Sequence, residues 1–351
     1  MGPTFVEDLN GQTSPLQIEN TSQPRAAAHP IHTLPSEILV EIFVHFLPAY
    51  PEFPPLSGLL SPLLLCRICQ EWRAIALSTP SLWSAIRITS PRDGDALESH
   101  EVSKLEILKT WLTRSRNCPL SLSLSGASHS LLLSDFLDAI ASHCRRWEHL
   151  DALVHMEDIN LMQSEMPLLR HLRFGPNAFC PRVSEPPTLF ARAPLLRTVV
   201  LTDNFLIGRM RLPWAQLTHL YAECLYESEC LEMVREATHL VSFTAGIVPL
   251  KYPDPEENSA GAGFTVPVHR HLRDLILHSL RPQYEWKWKI LDRLTLPALC
   301  RLQIPEARTT LESLKGFVSR SQCTLEELCV THATLPESAF RHISINQGDQ
   351  E

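Results

Sequence analysis

Glycine is scarce in this chain, with 12 among 351 residues. No glycine-rich phosphate loop occurs, and neither H-E-x-x-H nor G-x-S-x-G is present. These absences remove the common nucleotide folds, zinc peptidases and α/β-hydrolases that short motifs reveal. Basic residues are also in deficit. Lys and Arg number 31 against 39 Asp and Glu, a formal charge of −8. Phosphate-driven binding of nucleic acid needs a basic face, so no nucleic-acid partner is expected. Long apolar runs are missing too. The most apolar stretch, Leu56 to Cys66, is short and interrupted by Pro62, so no membrane partner is expected. Met1 to His29 carries no apolar core of the kind that opens a secretory signal. The expected location is therefore cytoplasmic or nuclear, and the ten cysteines are expected to be thiols. Cys66 and Cys69 form a C-x-x-C, but no second pair accompanies it. A packed thiol is favoured over zinc.

The residues that are present divide the chain. Residues 1–30 read as a disordered tail, 31–88 as a helical module and 89–101 as a linker. Residues 102–344 carry short Leu-spaced segments, and 345–351 form a polar tail. In the module, Pro35 and Glu37 suit a first helical turn. Leu34, Ile38, Ile42 and Phe46 then recur at helical spacing, with Phe43 adjacent. Pro48 ends this helix and a Pro-rich loop follows. A second helix is expected from about Pro62 to Leu77. Its apolar surface, which includes Leu64, Ile68, Trp72 and Ile75, is too broad to be covered on one side only. Trp83, Ile86 and Ile88 read as a short strand leading away.

An internal repeat is the strongest signal. An apolar residue is followed three and five places later by two more, starting at Leu169, Leu196, Leu217, Leu240, Leu272, Leu299 and Leu325. Trp147-Leu150-Ala152 reads as a degenerate earlier copy. Leucine-rich repeats run about 20–29 residues, and only the step from Leu240 to Leu272 exceeds this. It contains a Pro- and Gly-rich insertion, Val248 to Pro267. Asn177 and Asn204 sit where a chain turns off such a strand. The expected fold class is an α/β solenoid, α+β if the module is included: a small helical module followed by a leucine-rich-repeat-like curved parallel sheet. An irregular all-helical domain is the alternative.

Within each copy, the two later apolar residues point inward from a strand and alternate with outward ones. The outward set includes His149, Asp151, His171, Arg173, Thr198, Thr202, His219, Tyr221, Glu223, Asp274, His278, Arg301, Gln303 and Glu327. Solenoids commonly bind partners on this face. Arg173, His219, Tyr221, Asp274 and Arg301 are the expected target contacts, since Tyr and Arg dominate many interfaces. Trp286 and Trp288, interleaved with Lys287 and Lys289, are an aromatic-basic candidate for which packing is the favoured reading. The histidines form no catalytic pattern.

The module resembles the F-box family. The residues that carry the resemblance are Leu34-Pro35-Ser36-Glu37-Ile38-Leu39 with Ile42-Phe43, and Ile68-Cys69-Gln70-Glu71-Trp72-Arg73-Ala74-Ile75-Ala76. Ser78-Thr79-Pro80-Ser81-Leu82-Trp83 is similar to the F-box-like proteins abundant in mushroom-forming fungi. The resemblance implies a substrate-recruiting subunit of a cullin-type (SCF) ubiquitin ligase, with no active site and no cofactor of its own. It implies binding to a Skp-family adaptor, and through it a cullin, by Leu34, Pro35, Ile38, Ile42, Ile68, Cys69 and Trp72. The long Pro48–Ser61 loop departs from the family pattern. A scaffold that binds the adaptor without delivering a target is the alternative.

Overall fold

The structure is a computed structural model. It describes residues 30–89, 98–125, 133–153, 165–175, 190, 192–202, 212–248, 268–280 and 287–331. The expected tails, the Asn177 and Asn204 positions, Trp286 and most of the Val248–Pro267 insertion lie outside these residues.

Ten strands form one all-parallel sheet in simple sequence order. They are β1 (Ala85–Thr89), β2 (Leu120–Ser125), β3 (Trp147–Leu153), β4 (His171–Gly175) and β5 (Thr198–Leu201), followed by β6 (His219–Tyr226), β7 (Ser242–Val248), β8 (Asp274–Ser279), β9 (Arg301–Pro305) and β10 (Glu327–Thr331). Helices accompany the sheet: α1 (Ser36–Phe46), α2 (Pro62–Ile68), α3 (Gln70–Ser78), α4 (Glu98–Arg114), α5 (Leu133–Ala141), α6 (Glu227–Glu236), α7 (Ile290–Arg293) and α8 (Leu311–Ser321).

The repeat spacing fixes the sheet. One inward row runs Ile86, Leu122, Leu150, Leu172, Val199, Leu220, Phe243, Leu275, Leu302 and Leu328. A second includes Ile88, Leu124, Ala152, Phe174, Leu201, Ala222, Ala245 and Leu277, with Ile304 beside Val330 at the far end. Every member as far as β9 is buried. Each fully buried Leu, Ile or Phe favours the fold by about 1.5–3 kcal/mol, so the stacked rows form one continuous core.

The first Leu of each copy from Leu169 to Leu299 has a fixed job as well. The N–H of Leu169, Leu196, Leu217, Leu240 and Leu299 donates to the carbonyl three residues earlier. At Leu272 the ring of His269 replaces that carbonyl, accepting at Nδ1 over 3.1 Å. His269 Nε2 then donates to the Ala237 carbonyl at 2.9 Å. Both ring nitrogens are thereby used in closing the repeat. The next residue along donates to the preceding copy: Arg197 to Arg170, Thr218 to Arg197, Val241 to Thr218, Arg273 to Val241 and Cys300 to Arg273. These bonds satisfy backbone groups as the chain turns into each strand.

The structure corrects three boundaries. The helix expected over Pro62–Leu77 is broken at Cys69, which is extended at φ −153°, ψ 172°. Its sulfur accepts the Trp72 N–H at 3.4 Å, capping α3, while Arg73 Nε donates to the Cys66 carbonyl at 2.7 Å, closing α2. Pro35 stands at the N-cap of α1, just before the first turn. The expected linker runs into a helix, because α4 begins at Glu98.

The strand expected to lead away from the module is β1, paired with β2 in register. Trp83 anchors this junction. Its indole N–H donates to the Ala76 carbonyl at 2.9 Å, its ring meets Trp111 edge-on at 5.4 Å, and the Arg114 guanidinium lies 4.4 Å from its centre.

Candidate protein-interaction surfaces

The outward side chains of the sheet form two adjacent rows. One contains Ser121, His149, His171, Thr198, His219, Ser242, Asp274, Arg301 and Glu327. The other contains Arg87, Ser123, Asp151, Arg173, Val200, Tyr221, Thr244, Ile276, Gln303 and Cys329. The five expected target contacts therefore fall on neighbouring rows of one face.

Their surroundings differ. Arg301 lies between two carboxylates, 3.8 Å from Asp274 and 2.8 Å from Glu327, and these acids raise its pKa. Arg173 stands 3.6 Å from Asp151 and remains half exposed. His219 is half-buried, with Nδ1 2.9 Å from the Thr218 hydroxyl, and burial lowers its pKa. Tyr221 is only 8% exposed. It stands on the outward row, yet it offers a partner little surface. Burial pushes its phenol upward, and Glu223 adds to the shift.

The β1–β4 part of this face is covered from an unexpected source. The first part of the Pro48–Ser61 loop lies on it, through Tyr50 and Phe53. The Tyr50 ring stacks on His149 at 3.9 Å and 23° and leans over His171 at 5.5 Å. The two imidazoles are themselves stacked at 4.9 Å. Phe53 is buried, sits edge-on to Tyr50, and has the Arg87 guanidinium 5.0 Å from its ring centre. Burial drives the Tyr50 phenol up to about 12, helped by Asp151. Burial, with His171 and Arg170 nearby, drives His149 down to about 4. The Tyr50, His149 and His171 rings are thus uncharged at neutral pH, beside the Asp151–Arg173 pair and the Arg87 guanidinium. His149 is also bonded through Nδ1 to the Ser121 hydroxyl at 2.9 Å. His171 Nδ1 and Asp151 Oδ1 are buried without a hydrogen-bond partner among the described residues.

The helical module offers a different kind of surface. In α1 the face turned to the core consists of Leu39 and Phe43, with Phe46 packed against it. The buried stripe is therefore one residue removed from the Ile38–Ile42 stripe singled out by spacing. Ile38, Ile42 and Ile68 remain 47%, 43% and 52% exposed. Pro35 is exposed, while Leu34 is half-buried against the core. Cys69 and Trp72 turn inward: Cys69 is half-buried, and the Trp72 ring packs on Phe43 at 4.8 Å. The seven residues named for adaptor binding thus separate into an exposed group and a supporting group. Beside them a cleft of about 630 Å³ is lined by Leu59, Leu63, Cys66, Arg67, Arg73 and Arg114.

Cys66 and Cys69 are free thiols, and burial raises the Cys66 pKa. Trp288 is buried. No group of three or more His, Cys, Asp or Glu among the described residues is arranged to hold a metal ion. No helix among them is long and apolar enough to cross a membrane. Compared with known proteins, the chain matches no family model and no curated protein.

Proposed function

We propose that this chain is an F-box, substrate-recruiting subunit of a cullin-type (SCF) ubiquitin ligase of the cytoplasm or nucleus. In this reading the helical module docks onto a Skp-family adaptor and a leucine-rich-repeat-like sheet binds a target protein. The observation that carries it is the pairing of two unlike surfaces. Ile38, Ile42 and Ile68 stand exposed on short helices, and a polar, in-register strand face runs on from that module. Exposed large aliphatic side chains grouped on one module fit a protein partner. A polar face with His and Arg fits recognition by several neighbouring strands, because a stable interface buries about 800 Å² per partner. Catalysis belongs elsewhere in such a complex, and this chain raises the local concentration of target.

The test is co-elution of the purified chain with a Skp-family adaptor at micromolar concentration. Replacing Ile38 and Ile42 by Glu should weaken binding at least about tenfold, since a few residues dominate an apolar interface. The thermal melt should stay nearly unchanged, because both positions are exposed. Failure of the unaltered chain to bind removes the F-box reading. Recovery of adaptor without cullin from cell extract favours the scaffold alternative.

A further inference from the structure

The Tyr50 contact points beyond a generic polar face. We propose that the outward face at β3–β4 is a receptor for an aromatic ring on a proline-flanked turn, the form in which Tyr50 is presented by the Ala49–Glu52 turn. Tyr50 is its resident occupant, and a target segment of the same chemistry must displace the Pro48–Ser61 loop to bind. The proposal rests on reading the outward face as the recognition face.

Three observations carry it. The Tyr50 ring lies flat on His149 and over His171, and Phe53 fills the neighbouring position beneath Arg87. Two rings three residues apart are therefore read by two adjoining places on the sheet. The occupant also leaves the floor incompletely satisfied, because His171 Nδ1 and Asp151 Oδ1 stay buried without partners among the described residues. A ligand with an added donor and acceptor would bind the same floor better, since a buried polar atom without a partner is costly. Finally, the loop is tethered on both sides, by α1 ending at Phe46 and α2 beginning at Pro62. Short flexible tethers give effective concentrations of about 1 mM, so an intrinsic Kd of about 0.1 mM keeps the site filled roughly tenfold in favour of the loop. Such an occupant blocks weak, unspecific ligands and yields to a better one.

The experiment uses the full chain and a fluorescein-labelled peptide of its own sequence Pro48–Ser61. Wild type and a Tyr50→Ala/Phe53→Ala chain are titrated by anisotropy. The variant should bind the peptide saturably with a Kd below about 1 mM, and wild type about tenfold more weakly because its site is filled. A peptide carrying Tyr50→Ala should not bind, and adding His149→Ala to the variant chain should abolish binding. Equal binding to wild type and variant overturns the proposal, as does no saturable binding up to about 1 mM. If the double variant lacks a cooperative melt, Tyr50→Ala alone replaces it, and amide exchange of the wild-type chain gives a second measurement. Exchange at Glu52 much faster than at Leu172 and Phe174 in β4 supports a displaceable loop. Exchange as slow as in β4 overturns it. The probe involves no adaptor, so failure of adaptor binding and failure of this proposal are read separately.

Discussion

The two ends of the sheet are built on the same pattern and finished differently. In β1 the inward residues Ile86 and Ile88 are buried beneath the Trp83 junction and the helices around it. In β10, the last described strand, the equivalent Leu328 and Val330 are left 47% and 44% exposed by the described residues. A stacked sheet buries a strand only if something lies on its far side, so repetition alone does not finish an end. The N-terminal module therefore has a structural use, closing the core, whatever partner its outer face takes.

The sharpest test of this contrast pairs two truncations. Trp83→Ala removes a fully buried ring, its hydrogen bond to Ala76 and its contacts with Trp111 and Arg114. It should lower the unfolding free energy by about 3–5 kcal/mol in a urea titration. Leu328→Ala, at the half-exposed end, should cost under about 1 kcal/mol, because much of its surface is already in water. Similar losses at both positions would mean that the far end is covered in solution.

A second test probes the covered N-terminal part of the outward face by pH. His149 has a folded pKa near 4, below the ordinary 6.5 of the unfolded chain. The unfolded chain thus binds more protons between those values, and stability falls as pH drops through this window. The contribution is complete above pH 6.5 and is lost on the way down to about 4. His171, His219 and His278, also lowered by burial, add in the same direction, so the share of the covered part is read from a variant. Asp151 is raised and so acts oppositely, at the acid end. Denaturant titrations at several pH values should show a slope that His149→Phe visibly flattens.

The smallest effect is expected in the C-terminal part. Arg301→Ala removes two ion pairs from a half-exposed side chain, and such pairs contribute under about 1 kcal/mol. Its melting temperature should barely move. A large drop would show that the Asp274–Arg301–Glu327 row holds the open end together.

Much of the sheet could be read directly from spacing. Leu172, Phe174, Val199, Leu201, Leu275, Leu277, Leu302 and Ile304 were expected inside, and all are buried. Two strands escaped the repeat for chemical reasons. In β1 a Trp stands where most copies carry Leu, as Trp147 does before β3, yet Trp83-Ile86-Ile88 keeps the same spacing. In β2 the corresponding first position is Pro119, although the alternation of Leu and Ser from Leu120 to Ser125 marks a strand clearly. The break at Cys69 was illegible because Cys is a rare cap and the helical pattern runs through it. The docking of Tyr50 on His149 was beyond reach for another reason. Ring stacking between positions so distant in sequence leaves no periodic trace. The burial of Tyr221 was equally out of reach, because alternation along one strand gives a residue's face and not what covers it.

The parallel register has one more consequence, for anything that lies across the strands. Each outward row is a set of rungs about 4.8 Å apart. A polyproline-type chain advances about 3.1 Å per residue, so three residues cover about 9.3 Å, close to two rungs. A partner crossing the sheet at right angles to the strands thus returns to step with it every third residue. Its recognised side chains would fall at i, i+3 and i+6, a period set by the rungs and not by any single contact.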